Sequence, residues 1–231
     1  MIRMDVPGRA EPLPVEVYRP EGEGPFPAVV VICEAWGLND DIRRIARRFA
    51  AEGYVAAAPD LYRGRHFLRC VGAAMSALQT GKGPEVDDLK AVIAAVGARS
   101  EVRAVGVVGF CMGGGYALLL GSQSEQVAAA GDYYGIVSEA VDFDRLCPLF
   151  AAYGGRDGLM KQFHRKLERE LGTREVDHEV RLYPGAGHSF MNRSTSRVME
   201  MLAWPVMPLA YREDDAEDAW AGMLTFFGRH L

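Results

Sequence analysis

Apolar and polar positions along the chain alternate between two periods. Ala28-Val29-Val30-Val31-Ile32-Cys33 is a continuous, largely β-branched run, which predicts a strand covered on both faces. Ile42, Ile45, Ala46, Phe49 and Ala50 then recur at helical spacing, with Asn39 or Asp40 placed to cap the helix. Arginines 43, 44, 47 and 48 fall on its other side and read as a solvated basic face. Gly53 ends that helix, and Tyr54-Val55-Ala56-Ala57-Ala58-Pro59 predicts the next strand. Strand, helix, strand with short links predicts a right-handed parallel crossover.

The alternation continues. Residues 67–80 predict a short helix, broken by Gly81-Lys82-Gly83-Pro84, and Val86, Leu89, Ile93 and Val96 mark another. Strands are predicted over 104–108, 127–134, 148–153 and 178–183, and amphipathic helices around Met160–Leu171 and Ala216–Phe227. Residues 1–27 are rich in proline and glycine, and Val15-Glu16-Val17-Tyr18 predicts an edge strand within them. Residues 193–215 predict a loop near the pocket, with Met199, Met201, Trp204 and Met207 as its apolar positions. No repeat, low-complexity tract or linker interrupts the pattern. It predicts a single α/β domain over 1–231, a doubly wound, mostly parallel sheet with helices on both faces.

Composition narrows the class. Charged residues make up 25% of the chain and the formal net charge is −5, which argues against a nucleic-acid binder. No apolar stretch has the length of a signal peptide core or a membrane span, so a cytoplasmic protein without a membrane partner is expected. The four cysteines, Cys33, Cys70, Cys111 and Cys147, show no CxxC pair or histidine spacing, so reduced thiols and no metal are expected.

Gly109-Phe110-Cys111-Met112-Gly113-Gly114 follows a buried strand and opens a helical pattern. It is the Gly-X-Ser-X-Gly nucleophile elbow with sulfur in place of oxygen. Glu34, Asp60, Cys111, Asp157 and His188 each fall just after a predicted strand, where open parallel sheets bind ligands. Cys111, Asp157 and His188 stand in the chain order nucleophile, acid, base. A thiol attacks as thiolate, an imidazole takes or holds its proton, and a carboxylate fixes the imidazole tautomer. Asp157 could also cap the following helix, and Asp60 is its rival as the acid, better suited to substrate binding or loop closure. Of the other histidines, His66 reads as a loop residue near the pocket mouth, His164 as helix surface, His178 as a strand start and His230 as part of a mobile terminus.

The pieces Glu34-Ala35-Trp36-Gly37-Leu38-Asn39, Ala58-Pro59-Asp60-Leu61-Tyr62, Gly109 to Gly114, Tyr133-Tyr134-Gly135, Gly155-Arg156-Asp157 and Gly187-His188-Ser189-Phe190 resemble the dienelactone hydrolase (carboxymethylenebutenolidase-like) family of α/β-hydrolases. The similarity runs from about residue 28 to the C-terminal helix. It implies an α/β-hydrolase fold and hydrolysis of a small lactone or ester through an acyl-thioester on Cys111, with His188 as base and Asp157 orienting it. It implies that Glu34 is held near the resting thiol and displaced by an anionic substrate; a carboxylate there keeps a thiol protonated and guards it from oxidation. It implies an oxyanion hole from the backbone N–H groups of Ala35 and Met112, no metal and no organic cofactor.

The family binds a substrate carboxylate with one arginine in the loop after the second long strand and another four residues beyond the histidine. This chain offers Arg63 and Arg65 in the first place. In the second it departs, with Asn192 at that position and Arg193 following it. Tyr62 and Trp36 complete the candidate substrate contacts. The partner expected is a small ester or lactone, a carboxylate-bearing lactone foremost, acting on a monomer or dimer. The alternatives are a broad carboxylesterase or thioesterase without an anion clamp, and a non-catalytic thiol sensor or binding protein of the same fold.

Overall fold

The computed structural model describes residues 1–8, 11–193 and 209–231. Eight strands form one sheet. In chain order they are β1 (Ile2–Val6), β2 (Leu13–Tyr18), β3 (Phe26–Ile32), β4 (Val55–Pro59), β5 (Val102–Phe110), β6 (Val127–Tyr133), β7 (Leu149–Gly154) and β8 (His178–Tyr183). Their spatial order is β1-β2-β4-β3-β5-β6-β7-β8. β1 and β2 are antiparallel to their neighbours, and all pairs from β4 to β8 are parallel.

Helices cover both faces: α1 (Asp40–Ala51), α2 (Val71–Thr80), α3 (Pro84–Gly97), α4 (Met112–Gln123), α5 (Lys161–Leu171) and α6 (Glu213–His230). This is the α/β-hydrolase fold. The central strands carry buried side chains along their whole length, as Val29 to Ile32 and Ala56 to Ala58 do, because helices close both sides. Asn39 caps α1, its side-chain oxygen accepting from the N–H groups of Asp41 and Ile42 at 3.0 Å each. No described helix is long and apolar enough to cross a membrane.

Two expectations at the chain ends change. The strand expected at the edge, within Val15–Tyr18, lies second, because Ile2–Val6 pairs outside it. β1 gave little signal, since its positions are mostly exposed and its pattern is only five residues long. In the expected loop 193–215, residues Glu213 to Asp215 already form the first turn of α6. Met199, Met201, Trp204 and Met207 lie outside the described residues.

The parallel strands end on one side of the sheet. Glu34 follows β3, Asp60 follows β4, Cys111 follows β5, Tyr134 follows β6, Asp157 follows β7, and His188 lies in the loop after β8. Parallel order thus gathers six loops from distant parts of the chain at one rim.

Candidate active site

The turn from β5 into α4 puts Cys111 at φ 55° and ψ −116°, a backbone conformation that side chains larger than glycine's rarely adopt. Two anchors hold it. The Cys111 N–H donates to the Tyr133 carbonyl at 3.0 Å, and the Cys111 carbonyl accepts from Gly114 N–H at 3.0 Å. The neighbouring glycines are required by contact. A Cβ on Gly109 would overlap the Gly113 carbonyl, and one on Gly113 would lie 2.6 Å from the Cys33 carbonyl oxygen. The helix therefore leaves the strand at once, with the sulfur at its N-terminus.

Opposite the elbow, residues 34–37 form a tight turn closed by the Gly37 N–H to the Glu34 carbonyl at 3.1 Å. The Tyr62 hydroxyl donates to the Ala35 carbonyl at 3.0 Å and lies 3.9 Å from the Met112 sulfur, fixing this turn against the first residue of α4. Among the described residues, neither the Ala35 N–H nor the Met112 N–H donates to a protein acceptor. Two unpaired amides, one in the turn after β3 and one at the start of α4, are candidates to receive negative charge developing on a carbonyl oxygen.

His188 is buried, and its Nδ1 lies 2.6 Å from Asp157 Oδ2. Asp157 also caps the turn into α5, its Oδ1 accepting from the Leu159 and Met160 N–H groups at 3.2 and 3.1 Å. One carboxylate oxygen of Asp157 thus faces His188 and the other caps the helix turn. The β7 and β8 loops are laced together by Gly155 N–H to Tyr183 O at 2.7 Å and Arg156 N–H to Ala186 O at 2.8 Å. His188 further pairs with Leu209 in an isolated parallel bridge, so the chain just before α6 borders the site. The buried Nε2 has no hydrogen-bond partner. Burial alone would lower the His188 pKa; the charge of the Cys111 sulfur and the Asp157 carboxylate outweigh it and push the imidazole up to about 10. At neutral pH that imidazole holds its proton.

Glu34 is buried beside this pair. Its carboxylate accepts a bond from the Ser189 hydroxyl at 3.3 Å, with Ser189 in the left-handed region at φ 58°. Burial drives the Glu34 pKa up to about 7, nearby Asp41 adds to the rise, and His188 opposes it. The described contacts of its carboxyl lie toward Ser189 and Asn39, with no hydrogen bond to Cys111. Below Glu34 lies a buried polar group. Asp41 accepts from Arg44 Nε at 2.6 Å, Asn192 Nδ2 at 2.9 Å and the Arg193 N–H at 3.1 Å. The Tyr134 hydroxyl donates to the Asn192 side-chain oxygen, and the Tyr134 ring stands 4.9 Å from that of His188.

The candidate substrate contacts are distributed unevenly. Tyr62 lies against the elbow, as above, and Trp36 is at the rim, 40% exposed, edge-to-face with Phe67 at 4.9 Å. Arg63 is turned toward the β1–β2 side, where its guanidinium bonds Asp88 at 2.6 Å and the Glu11 carbonyl at 3.1 Å. Arg65 pairs with the Glu11 carboxylate. Arg193 bonds the Tyr211 hydroxyl at 2.8 Å and stacks on its ring. Asn192 is enclosed by Asp41 and Tyr134. Asp60 closes its own loop, accepting from Tyr62 N–H at 3.2 Å and Gly64 N–H at 2.7 Å.

Two other histidines differ from expectation. His164 is buried against Tyr153 rather than on the helix surface, because it falls on the inward stripe of α5. His230 is tied down by Asp177 at 2.8 Å and packed on Phe226, rather than loose at a terminus. Asp41 was missed as a site residue because an acid in the first turn of a helix reads as a capping residue. Tyr134 sat inside a matched piece of sequence, and only the fold shows its hydroxyl reaching Asn192. Among the described residues no group of three or more His, Cys, Asp or Glu side chains is arranged to hold a metal ion.

A Yersinia pestis protein named provisionally as a carboxymethylenebutenolidase is 28% identical over 245 residues, spanning 97% of this chain and 86% of its own length. A Saccharolobus solfataricus protein of the same provisional name is 30% identical over 251 residues, 90% of this chain and 91% of its own. Among solved structures, a dienelactone hydrolase-like promiscuous phosphotriesterase from metagenomic libraries superposes with a TM-score of 0.82 at 26% identity, covering 99% of this chain and 97% of that one. The model of the dienelactone hydrolase family matches residues 13–231. The chain belongs to the dienelactone hydrolase family and is a hydrolase of ester bonds.

Proposed function

We propose that the protein is a cysteine hydrolase of small esters and lactones, with Cys111 as nucleophile, His188 as proton carrier and Asp157 as its orienting acid. The observation that carries this reading is the His188 imidazole. Its Nδ1 is fixed by Asp157 at 2.6 Å, while its buried Nε2 is unpartnered beside the elbow sulfur.

Cys111 reacts as the thiolate, with His188 as the imidazolium that carries the proton. The thiolate attacks the substrate carbonyl carbon, and the oxyanion forms against the Ala35 and Met112 N–H groups. Collapse of that adduct breaks the carbon–oxygen bond, and His188 gives its proton to the departing alkoxide. Neutral His188 then takes a proton from water as that water attacks the acyl-thioester. The Cys111 thiolate leaves, and the acid product and the imidazolium remain. Asp157 holds the imidazole tautomer throughout. Tyr62 supports the oxyanion site through the Ala35 peptide, and Glu34 sits at its edge as a carboxyl that restrains the sulfur while the site is empty.

The test is hydrolysis of a 4-nitrophenyl ester by the parent protein and by Cys111→Ala. Rapid mixing and acid quench should yield the parent protein carrying the acyl mass on the peptide that contains Cys111. Equal activity of Cys111→Ala, or a silent parent protein across lactones and activated esters, would overturn the reading.

A further inference from the structure

The charges around the sulfur specify what kind of acyl group fits. Among the described residues, Arg44 is engaged by Asp41, Arg63 by Asp88 and Glu11, Arg65 by Glu11, and Arg193 by Tyr211. The imidazolium of His188 is paired with Asp157 at 2.6 Å, and Arg44 with Asp41. Among the described residues Glu34 remains as a buried acid with no ion-pair partner, and it gains charge as the pH rises through about 7. A carboxylate on the substrate would enter a partly buried field of its own sign, where repulsion is stronger than in water.

At the mouth the surface is apolar. Trp36 follows Ala35 directly, packs edge-to-face on Phe67 and is 40% exposed, and Leu68, which follows Phe67 in the chain, is 70% exposed. His66 adjoins the patch, its ring tilted against that of Phe67 with centroids 4.9 Å apart. The patch needs no protein partner to explain it, since the turn that bears Trp36 is held against Met112 by Tyr62.

We propose that the site selects an uncharged, apolar acyl group, laid on the Trp36–Phe67 wall, and discriminates against acyl groups that carry a carboxylate. The proposal rests on the cysteine-hydrolase reading and adds the substrate class to it. Trp36 is the specificity-determining residue. Glu34 supplies the discrimination against anions, so it strengthens as the pH rises through about 7.

The experiment compares two esters with one leaving group and one chain length: 4-nitrophenyl methyl adipate and mono(4-nitrophenyl) adipate. The neutral ester should be favoured in kcat/KM by roughly tenfold or more at low salt, and the preference should shrink as ionic strength rises. A second arm uses 4-nitrophenyl acetate, butyrate and hexanoate. In the parent protein kcat/KM should rise along the series, and Trp36→Ala should flatten that rise chiefly through KM. Equal or faster turnover of the adipate anion at low salt would overturn the proposal while leaving the cysteine-hydrolase reading intact. So would a chain-length series unmoved by Trp36→Ala. A protein that cleaves none of these esters would overturn both.

Discussion

Asn192 and Asp41 are joined by a buried hydrogen bond of 2.9 Å across 151 residues of chain. The bond ties the loop that carries His188 to the first turn of α1. Because the Tyr134 hydroxyl donates to the other atom of the same amide, Asn192 is satisfied on both sides. Asn192→Ala should leave a buried carboxylate and a buried phenol short of a partner, at a cost of roughly 1–3 kcal/mol. Chemical denaturation followed by tryptophan fluorescence measures this. Asn192→Asp should cost more, because it sets a second acid against Asp41.

The bond between His188 and Asp157 should govern turnover rather than binding. Asp157→Asn keeps the cap to Leu159 and Met160 within reach of its oxygen but removes the charge that holds the imidazole. The expected loss in kcat is roughly a hundredfold to ten-thousandfold, with KM little changed. Steady-state kinetics on a 4-nitrophenyl ester reads it directly. Because the folded His188 pKa lies near 10, above its ordinary value of 6.5, its proton stabilises the fold fully below pH 6.5. That contribution should disappear as the pH rises through about 10.

Glu34 should act in the opposite pH range. Its pKa rises on folding from 4.5 to about 7, so the folded protein binds a proton that the unfolded chain has released. Stability from this carboxyl is fully present below pH 4.5 and is lost as the pH rises to about 7. Glu34→Gln removes the loss. The variant should gain on the parent by up to roughly 3 kcal/mol between pH 4.5 and pH 8. Thermal unfolding of both proteins at the two pH values checks the sign. Alkylation of Cys111 by iodoacetamide should also be faster in Glu34→Gln than in the parent at pH 8, and nearly equal at pH 5.5, where the parent carboxyl is protonated too. Equal rates at both pH values would remove the restraining role of Glu34.

The elbow should tolerate no added carbon. In Gly113→Ala the new Cβ meets backbone oxygens at the end of β3, which cannot swing aside as a side-chain tip could. A loss of several kcal/mol, or no folded protein, is expected, whereas Gly53→Ala, with open space around its Cβ, should suffer only from its φ of 90°. Circular dichroism and melting temperature distinguish the two.

Most of this architecture is open to reading in one dimension because its parallel strands are apolar, rich in β-branched residues and punctuated. The run from Ala28 to Cys33, followed by the helical spacing of Ile42 to Ala50, admits little besides a buried strand that leads into a helix. The candidate triad is legible for the same reason: a parallel sheet delivers the residues after its strands to one rim, so Cys111, Asp157 and His188 are expected there from sequence order alone. What order could not reveal was which side of a loop a flexible side chain takes. Arg63 stands in the right loop, yet its guanidinium turns toward Asp88 and Glu11, a choice decided by acids 25 and 52 residues away. Asp41 likewise reads as a helix-capping acid until the fold brings Asn192 and Arg193 to it. β1 escaped because an edge strand with exposed positions has almost no periodic signature.

Cys33 and Cys147 have a consequence for how the protein ages in air. Burial pushes both thiols up to about 12, so neither yields appreciable thiolate at neutral pH. Peroxide reacts with thiolates, so these two sulfurs are spared while the elbow sulfur and the partly exposed Cys70 take the damage. Oxidative ageing should therefore silence the enzyme long before it loosens the core, leaving a folded protein whose lost activity a mild reductant restores while the lesion is still a sulfenic acid or a mixed disulfide.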